Sequence, residues 1–377
     1  MIDDSSYART RRTLFSSARL LSVLNLDGPL LLGLGVLAIY GLIILYSASG
    51  QSVDTIVRTV MRLALGTAAM LALTHASPNV LRRLAPWLYV IGVLLLLVVA
   101  VSGVIGKGAQ RWLNLGLFKF QPSEIMKLAV PMLAAWYLHD RALPPTWGSL
   151  LMLALIIFIP TALVAVEPDL GTAALIAASG ALLVLMAGLS VRIILIVLLG
   201  TVAAALLGWS SLHEYQRTRV LTFLNPQTDP LGAGYHIIQS QIALGSGGLF
   251  GKGWMNGSQA QLEFLPERST DFIFAVVGEE FGLIGLIGLL ALYLFIVARS
   301  VWLAMQTNDT FSRLLALSLG LTFFVYVFIN AGMVSGLVPV VGVPLPLVSY
   351  GGTSVVTLLA GFGILMGLYS HRKLIGT

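Results

Sequence analysis

Not one cysteine occurs among the 377 residues, which removes disulfides, thiolate metal sites and a cysteine nucleophile together. Charge is nearly as scarce. Asp, Glu, Lys and Arg supply 10% of the chain against 57% hydrophobic residues, too little polar surface to clothe a soluble globule, so a bilayer is the solvent that fits. No HExxH pair and no GxSxG elbow is present, which argues against zinc-protease and serine-hydrolase chemistry. The glycine-rich stretch 245–253 fails as a phosphate loop, because Ser246 stands where a glycine is needed and Gly253 where Ser or Thr is needed. Tight turns are its expected use. The formal charge of +6 would suggest nucleic acid in a soluble protein. In a membrane chain Arg and Lys report first on orientation and headgroup contact, and with no RNA- or DNA-binding motif no nucleic-acid partner is expected.

What the chain does have is long apolar runs. A crossing needs roughly 20 apolar residues to span about 30 Å of hydrocarbon, since backbone groups cannot go unsatisfied in lipid. Ten segments approach this: 30–47, 57–74, 87–105, 124–138, 147–166, 172–189, 193–209, 272–299, 314–337 and 348–369. The expected fold is all-α, a polytopic membrane protein of about ten transmembrane helices with a long extracytoplasmic loop between helices 7 and 8. It forms one domain over 1–377, with residues 1–26 as a cytoplasmic arm and 210–270 as the long loop. The first run is too long and too uncleavable for a signal peptide. The ninth segment holds Asn330, Gly332, Ser335 and Gly336 and is expected to be broken or to line a cavity.

An even number of crossings puts both termini on one side. Placing them in the cytoplasm assigns Arg82, Arg83, Arg141, Arg192, Arg299, Arg313, Arg372 and Lys373 to inner loops or ends, as the positive-inside rule prefers. The bias is modest. Lys107, Arg111, Lys119 and Lys127 fall outside in one loop, and Arg217, Arg219, Lys252 and Arg268 in another. An anionic ligand at the outer surface would explain them. Within the long loop, 213–224 and 236–244 read as short helices, the second ending at Gly245.

Four constellations carry candidate chemistry, each with a plainer alternative. Asp271, where the long loop meets the eighth span, is either a cap for that helix or a general base at the membrane surface. Glu279 and Glu280 follow about 12 Å deeper on a continuous helix. Glu279 lies about 80° around from Asp271 and is the better candidate to face a cavity, the alternative being a structural ion pair. The first outer loop offers Lys107, Gln110, Arg111 and Trp112, then Gln121, Ser123, Glu124 and Lys127. These form either a cradle for a polar headgroup or an interfacial tryptophan with a surface ion pair. Asp169 either caps the sixth span or joins Glu124 and Asp271 in holding a divalent cation such as Mg or Mn through oxygen ligands.

In combination these motifs closely resemble the SEDS family of integral membrane proteins. The resemblance rests on Gly108-Ala-Gln-Arg-Trp112, Gln121-Pro-Ser-Glu124 with Lys127, Glu167-Pro-Asp-Leu-Gly-Thr172, Asp229-Pro-Leu-Gly-Ala-Gly-Tyr-His236, Phe264-Leu-Pro-Glu267, Thr270-Asp-Phe-Ile-Phe-Ala275 and Pro344-Leu-Pro-Leu-Val-Ser-Tyr-Gly-Gly352. Gly251-Lys-Gly-Trp254 and Val338-Pro-Val-Val-Gly-Val-Pro344 are similar to the branch serving cell elongation. The resemblance implies a peptidoglycan glycosyltransferase that polymerises lipid II at the outer face of the cytoplasmic membrane. Asp271 would be the base and polyprenyl pyrophosphate the leaving group, with Lys107, Arg111, Lys127, Arg217 and Arg219 answering the pyrophosphate charge. Glu267 and Ser349 fall in matched motifs and are expected at the substrate. Implied partners are lipid II, the nascent glycan strand, a class B penicillin-binding protein and other elongation-complex membrane proteins. The competing reading is a lipid II flippase.

Overall fold

The computed structural model describes residues 24–106, 109–114, 119–208, 217, 221–228 and 233–372. Its helices are α1 Gly28–Ala48, α2 Val53–Leu73, α3 Pro78–Ser102, α4 Pro122–Leu138, α5 Trp147–Val166, α6 Leu170–Met186 and α7 Val191–Gly208. They continue with α8 Ala233–Ser246, α9 Ser258–Gln261, α10 Ile273–Met305, α11 Thr310–Ser335 and α12 Ser354–His371. Each expected span meets one of these helices. Among the described residues, seven are long and apolar enough to cross a membrane: α1, α2, α3, α5, α10, α11 and α12. The chain is a multi-pass membrane protein.

Polar residues punctuate the apolar runs. Asp27, Ser52, Ser77, Thr146, Asp169 and Asp309 each accept a hydrogen bond from a backbone N–H of the helix they open, satisfying a donor that lipid would leave stranded. Asp27 also receives two bonds from Arg299, at 3.0 and 2.7 Å, fastening the start of α1 to α10. The core lies between α10, α11 and α12. There Tyr293 and Phe323 sit 5.6 Å apart, Phe323 and Phe362 meet edge-on at 5.0 Å, and Tyr293 donates to Pro346 O at 2.7 Å.

Several expectations need correcting. The third span begins at Pro78, nine residues early, because Ser77 and Pro78 make a cap and first turn; Arg82 and Arg83 therefore stand in the opening turns of α3, at a helix end rather than in a loop, within the inner loops or ends assigned to them. The first outer loop contains a small antiparallel sheet, Val104–Gly106, Ala109–Asn114 and Lys119–Phe120, pairing Val104 with Trp112 and Leu113 with Phe120. The ninth segment is an unbroken helix ending at Gly336 in the left-handed region, φ 78°. The helix of the tenth span, α12, starts at Ser354, so 348–353 is loop.

The eighth span is the one that breaks. Gly282, at φ 65° and ψ −162°, interrupts α10. The 245–253 turns close on that break, with Lys252 N–H and Gly253 N–H donating to Glu279 O and Glu280 O at 3.0 Å each, and Leu283 N–H donating to Gly248 O at 2.9 Å. Tight turns are indeed what the glycines form. The long loop also contains α8, which begins at Ala233 rather than 236 and runs to Ser246. Ser240 Oγ joins it to Val334 O of α11 at 2.9 Å. Of the expected 213–224 helix, 221–224 is helical, and most of the rest lies outside the described residues.

Candidate active site

Asp271 is half-buried in the turn just before α10. Local sequence makes the turn: Glu267 adopts φ 49°, and Thr270 N–H and Phe272 N–H return to Glu267 O at 3.0 and 3.3 Å. Thr270 Oγ1 donates to Glu267 Oε2 at 2.7 Å. Distant segments then hold it. Asn330, fully buried on α11, donates through Nδ2 to Asp271 O at 2.9 Å and to Val343 O at 2.7 Å. Ser349 Oγ donates to Thr270 O at 2.5 Å and accepts from Leu345 N–H at 2.8 Å. Tyr350 N–H donates to Ser269 O at 2.8 Å, pairing the two loops through their main chains. Gly342 stands beside the acid, since a Cβ there would come within 3.5 Å of Asp271 Oδ2. The 336–353 connection therefore wraps the Asp271 turn.

A second polar group adjoins it. Asp169 Oδ1 caps α6 through Thr172 N–H at 3.2 Å, and its Oδ2 accepts from Gln121 Nε2 at 3.0 Å. Arg111 Nη2 donates to Pro168 O at 2.7 Å, and its Nη1 lies 3.6 Å from Asp169. Lys127 pairs with Glu124 at 2.7 Å, both buried. Glu167 is buried beside them. Burial, reinforced by Asp169 and opposed by Arg111, pushes its carboxyl up to about 8. Ser123 Oγ, Glu124 Oε2 and Glu167 Oε1 are buried with no hydrogen-bond partner among the described residues. This group touches the Asp271 wrap at Gly171, where any Cβ would lie 2.4 Å from Val341 O. Trp112 lies against the far end of the same connection, 3.7 Å from the Cβ position of Gly352.

A sequence profile of the cell cycle protein family that includes FtsW, RodA and SpoVE matches residues 28–374. The chain belongs to this family. It is 50% identical over 352 residues to the peptidoglycan glycosyltransferase MrdB of Escherichia coli K12, covering 93% of this chain and 95% of that one. It is 35% identical to the probable peptidoglycan glycosyltransferase FtsW of Trichlorobacter lovleyi, over 92% of this chain and 94% of that one. Among solved structures it resembles a chain from a peptidoglycan synthase complex that coordinates polymerization and crosslinking, with TM-score 0.81, 32% identity and coverage of 92% and 98%. The rod shape determining protein RodA of Thermus thermophilus matches with TM-score 0.70, 31% identity and coverage of 92% and 97%.

The remaining site residues of this family member divide clearly. Gln121, Ser123, Glu124, Lys127, Asp169, Arg111 and Trp112 gather along the first outer loop and the start of α6, while Glu267 and Ser349 shape the Asp271 turn. Glu279 joins neither group. Its Oε1 takes Lys252 Nζ at 2.6 Å, Ser258 Oγ at 3.1 Å and Gln259 N–H at 2.9 Å, and its Oε2 takes Ala260 N–H at 3.2 Å. It therefore fixes α9 and the glycine turns to α10, the structural alternative raised for it. Arg217 is half-buried, and Lys107 and Arg219 lie outside the described residues. Among the described residues no three His, Asp or Glu side chains form a group able to hold a metal ion, so Glu124, Asp169 and Asp271 do not fit a protein-only cation site.

Four residues not singled out for the site, Asn330, Arg62, Tyr350 and His236, also belong to it or border it. Asn330 holds the Asp271 main chain from inside α11. Arg62 of α2 donates to Gly351 O at 3.1 Å and Tyr350 OH at 3.2 Å, and its guanidinium covers the Tyr350 ring at 4.5 Å. Its signal was present, since an arginine inside an apolar helix calls for a partner. His236 stacks on Phe272 at 5.8 Å, and burial lowers its pKa while Glu267 opposes that shift.

Proposed function

We propose that this chain is a peptidoglycan glycosyltransferase that polymerises lipid II into glycan strands, with Asp271 as general base. The carrying observation is the restraint on the Asp271 turn by Asn330, Ser349 and Tyr350. A base that must meet a bound hydroxyl gains from being held in position before the substrate arrives. Asp271 takes the proton of the acceptor GlcNAc 4-hydroxyl as that oxygen attacks the donor MurNAc anomeric carbon. The bond to the polyprenyl pyrophosphate breaks, and negative charge grows on the leaving group. Arg62, near the Asp271 wrap, the loop cations Lys107, Arg111, Arg217 and Arg219, and Lys127 of α4 are the groups available to answer that charge. Any divalent cation here would take ligands from the pyrophosphate as well as from the protein.

The arginine-rich end of the bundle supports cytoplasmic termini and a periplasmic site. The likeness to a complex that couples polymerization with crosslinking supports a class B penicillin-binding protein as partner, within an elongation assembly. The test is glycan polymerisation from lipid II by purified protein with that partner. Asp271→Asn is expected to lower the rate by about a hundredfold to ten-thousandfold. Undiminished polymerisation by the folded variant would remove Asp271 from the base role and favour the flippase reading.

A further inference from the structure

At the end of the bundle that carries the termini, the start of α3, the end of α4 and the first turns of α5 surround a cavity of about 800 Å³. That lies within the roughly 300–1,000 Å³ of small-molecule sites. Its polar end holds Arg82, His139 and Arg141. Its other wall is apolar, with Trp136 and Met152 left open to lipid at 43% and 44% exposure and Ile156 behind them. A cationic mouth on an apolar wall matches a lipid with an anionic headgroup.

The hydrogen bonding is incomplete in the same sense. Arg82 Nη1 contacts His139 Nε2, and a guanidinium can only donate, so in the neutral ring Nε2 accepts and Nδ1 carries the proton. That Nδ1 is buried with no hydrogen-bond partner among the described residues. It is a donor in want of an acceptor. Arg141 is held by Tyr137, with Nε donating to Tyr137 O at 3.0 Å and the guanidinium 4.1 Å from the ring centre, which leaves its terminal nitrogens for a ligand. The one acid of the lining, Asp140, is 92% exposed in its side chain and touches the site only through Oδ1, 3.5 Å from His139 Nε2, so the lining keeps a net positive charge. His139 also stacks edge-on against Phe311 at 6.5 Å, placing the cavity at the end where α11 begins.

We propose that this cavity binds an anionic phospholipid of the leaflet on the side of the termini. The headgroup phosphate lies between Arg82 and Arg141 beside the His139 ring, and an acyl chain runs along Trp136, Met152 and Ile156. The site is separate from the Asp271 chemistry, and the inference does not rest on the glycosyltransferase reading.

The test is lipid retention measured by native mass spectrometry. Protein would be released from nanodiscs of phosphatidylethanolamine with either phosphatidylglycerol or cardiolipin, and free of lipid II. The wild type is expected to keep the anionic lipid selectively. Neutralising two cations at about 1 kcal/mol each predicts about a thirtyfold loss in Arg82→Gln/Arg141→Gln. Met152→Trp, which fills the chain wall and leaves the charges, is expected to lower retention as well, with unfolding temperature confirming that each variant is folded. Inorganic phosphate at equal concentration should not displace the lipid. Equal retention of phosphatidylethanolamine, full retention by both folded variants, or displacement by phosphate alone would overturn the proposal. Polymerisation measured on parallel samples of the same variants supplied with lipid II keeps this outcome apart from that of Asp271→Asn.

Discussion

Asn330 shows how much one buried amide decides. Its Nδ2 bonds Asp271 O and Val343 O together, so Asn330→Ala would leave two carbonyls without that donor and let the turn move against its wrap. Displacement by about an ångström costs up to roughly a hundredfold in rate, and a fall of about tenfold to a hundredfold in polymerisation is expected. A rate equal to wild type would mean the turn holds its shape without Asn330. Glu167 gives a prediction in pH. Its carboxyl titrates near 8 in the fold against an ordinary 4.5, so between those values the folded chain holds a proton that the unfolded chain has released. Stability contributed by this group is therefore present below pH 4.5 and is lost as pH rises towards 8. In Glu167→Gln the unfolding temperature should vary less with pH across that window than in wild type.

At the scale of elements, the break in α10 is the feature that most changes the reading of the chain. A methyl group at 282 would occupy a left-handed residue and stand 2.3 Å from Gly251 N and 2.7 Å from Leu249 O. Gly282→Ala is therefore expected to cost more than about 1 kcal/mol, seen as a lower unfolding temperature in detergent. Gly288, in the same helix with open space around its Cβ position, is the control, and Gly288→Ala should be neutral or stabilising. Helix positions were legible from hydropathy because a span is a local run of apolar residues. The break was not, because the groups that complete it come from the 245–253 turns. The same limit hid the role of Glu279. Its place on a helix could be counted from the sequence, whereas the donors converging on it, from Lys252 to Ala260, could not.

At the scale of the whole molecule, the described bundle has the start of α1 and the end of α12 at one end, joined there by Ser370 Oγ donating to Asn25 Oδ1 at 2.6 Å and by Asn308 Nδ2 donating to Arg372 O at 3.3 Å. The Asp271 wrap lies in the connections at the opposite ends of α10, α11 and α12. The absence of cysteine makes sidedness directly measurable. In otherwise native chains, Asn256→Cys should react with a membrane-impermeant maleimide in intact spheroplasts and Asn308→Cys only after lysis, both positions being exposed. The reverse pattern would invert the topology and put the Asp271 site on the cytoplasmic side.

Composition and hydropathy by themselves determined that this chain suits a bilayer and that its helices follow its apolar runs, and the resemblance of its motifs pointed to the family. Those properties are sums or short-range patterns along the chain. Which acid sits in a turn wrapped by distant loops and which has its oxygens taken up by packing was decided only by tertiary structure. Asp271 stands just before one span and Glu279 about 12 Å along it, and that spacing alone does not separate their roles. The difference comes from donors distant in sequence: Asn330, Ser349 and Tyr350 fix the backbone around Asp271, while Lys252 and the start of α9 occupy both oxygens of Glu279.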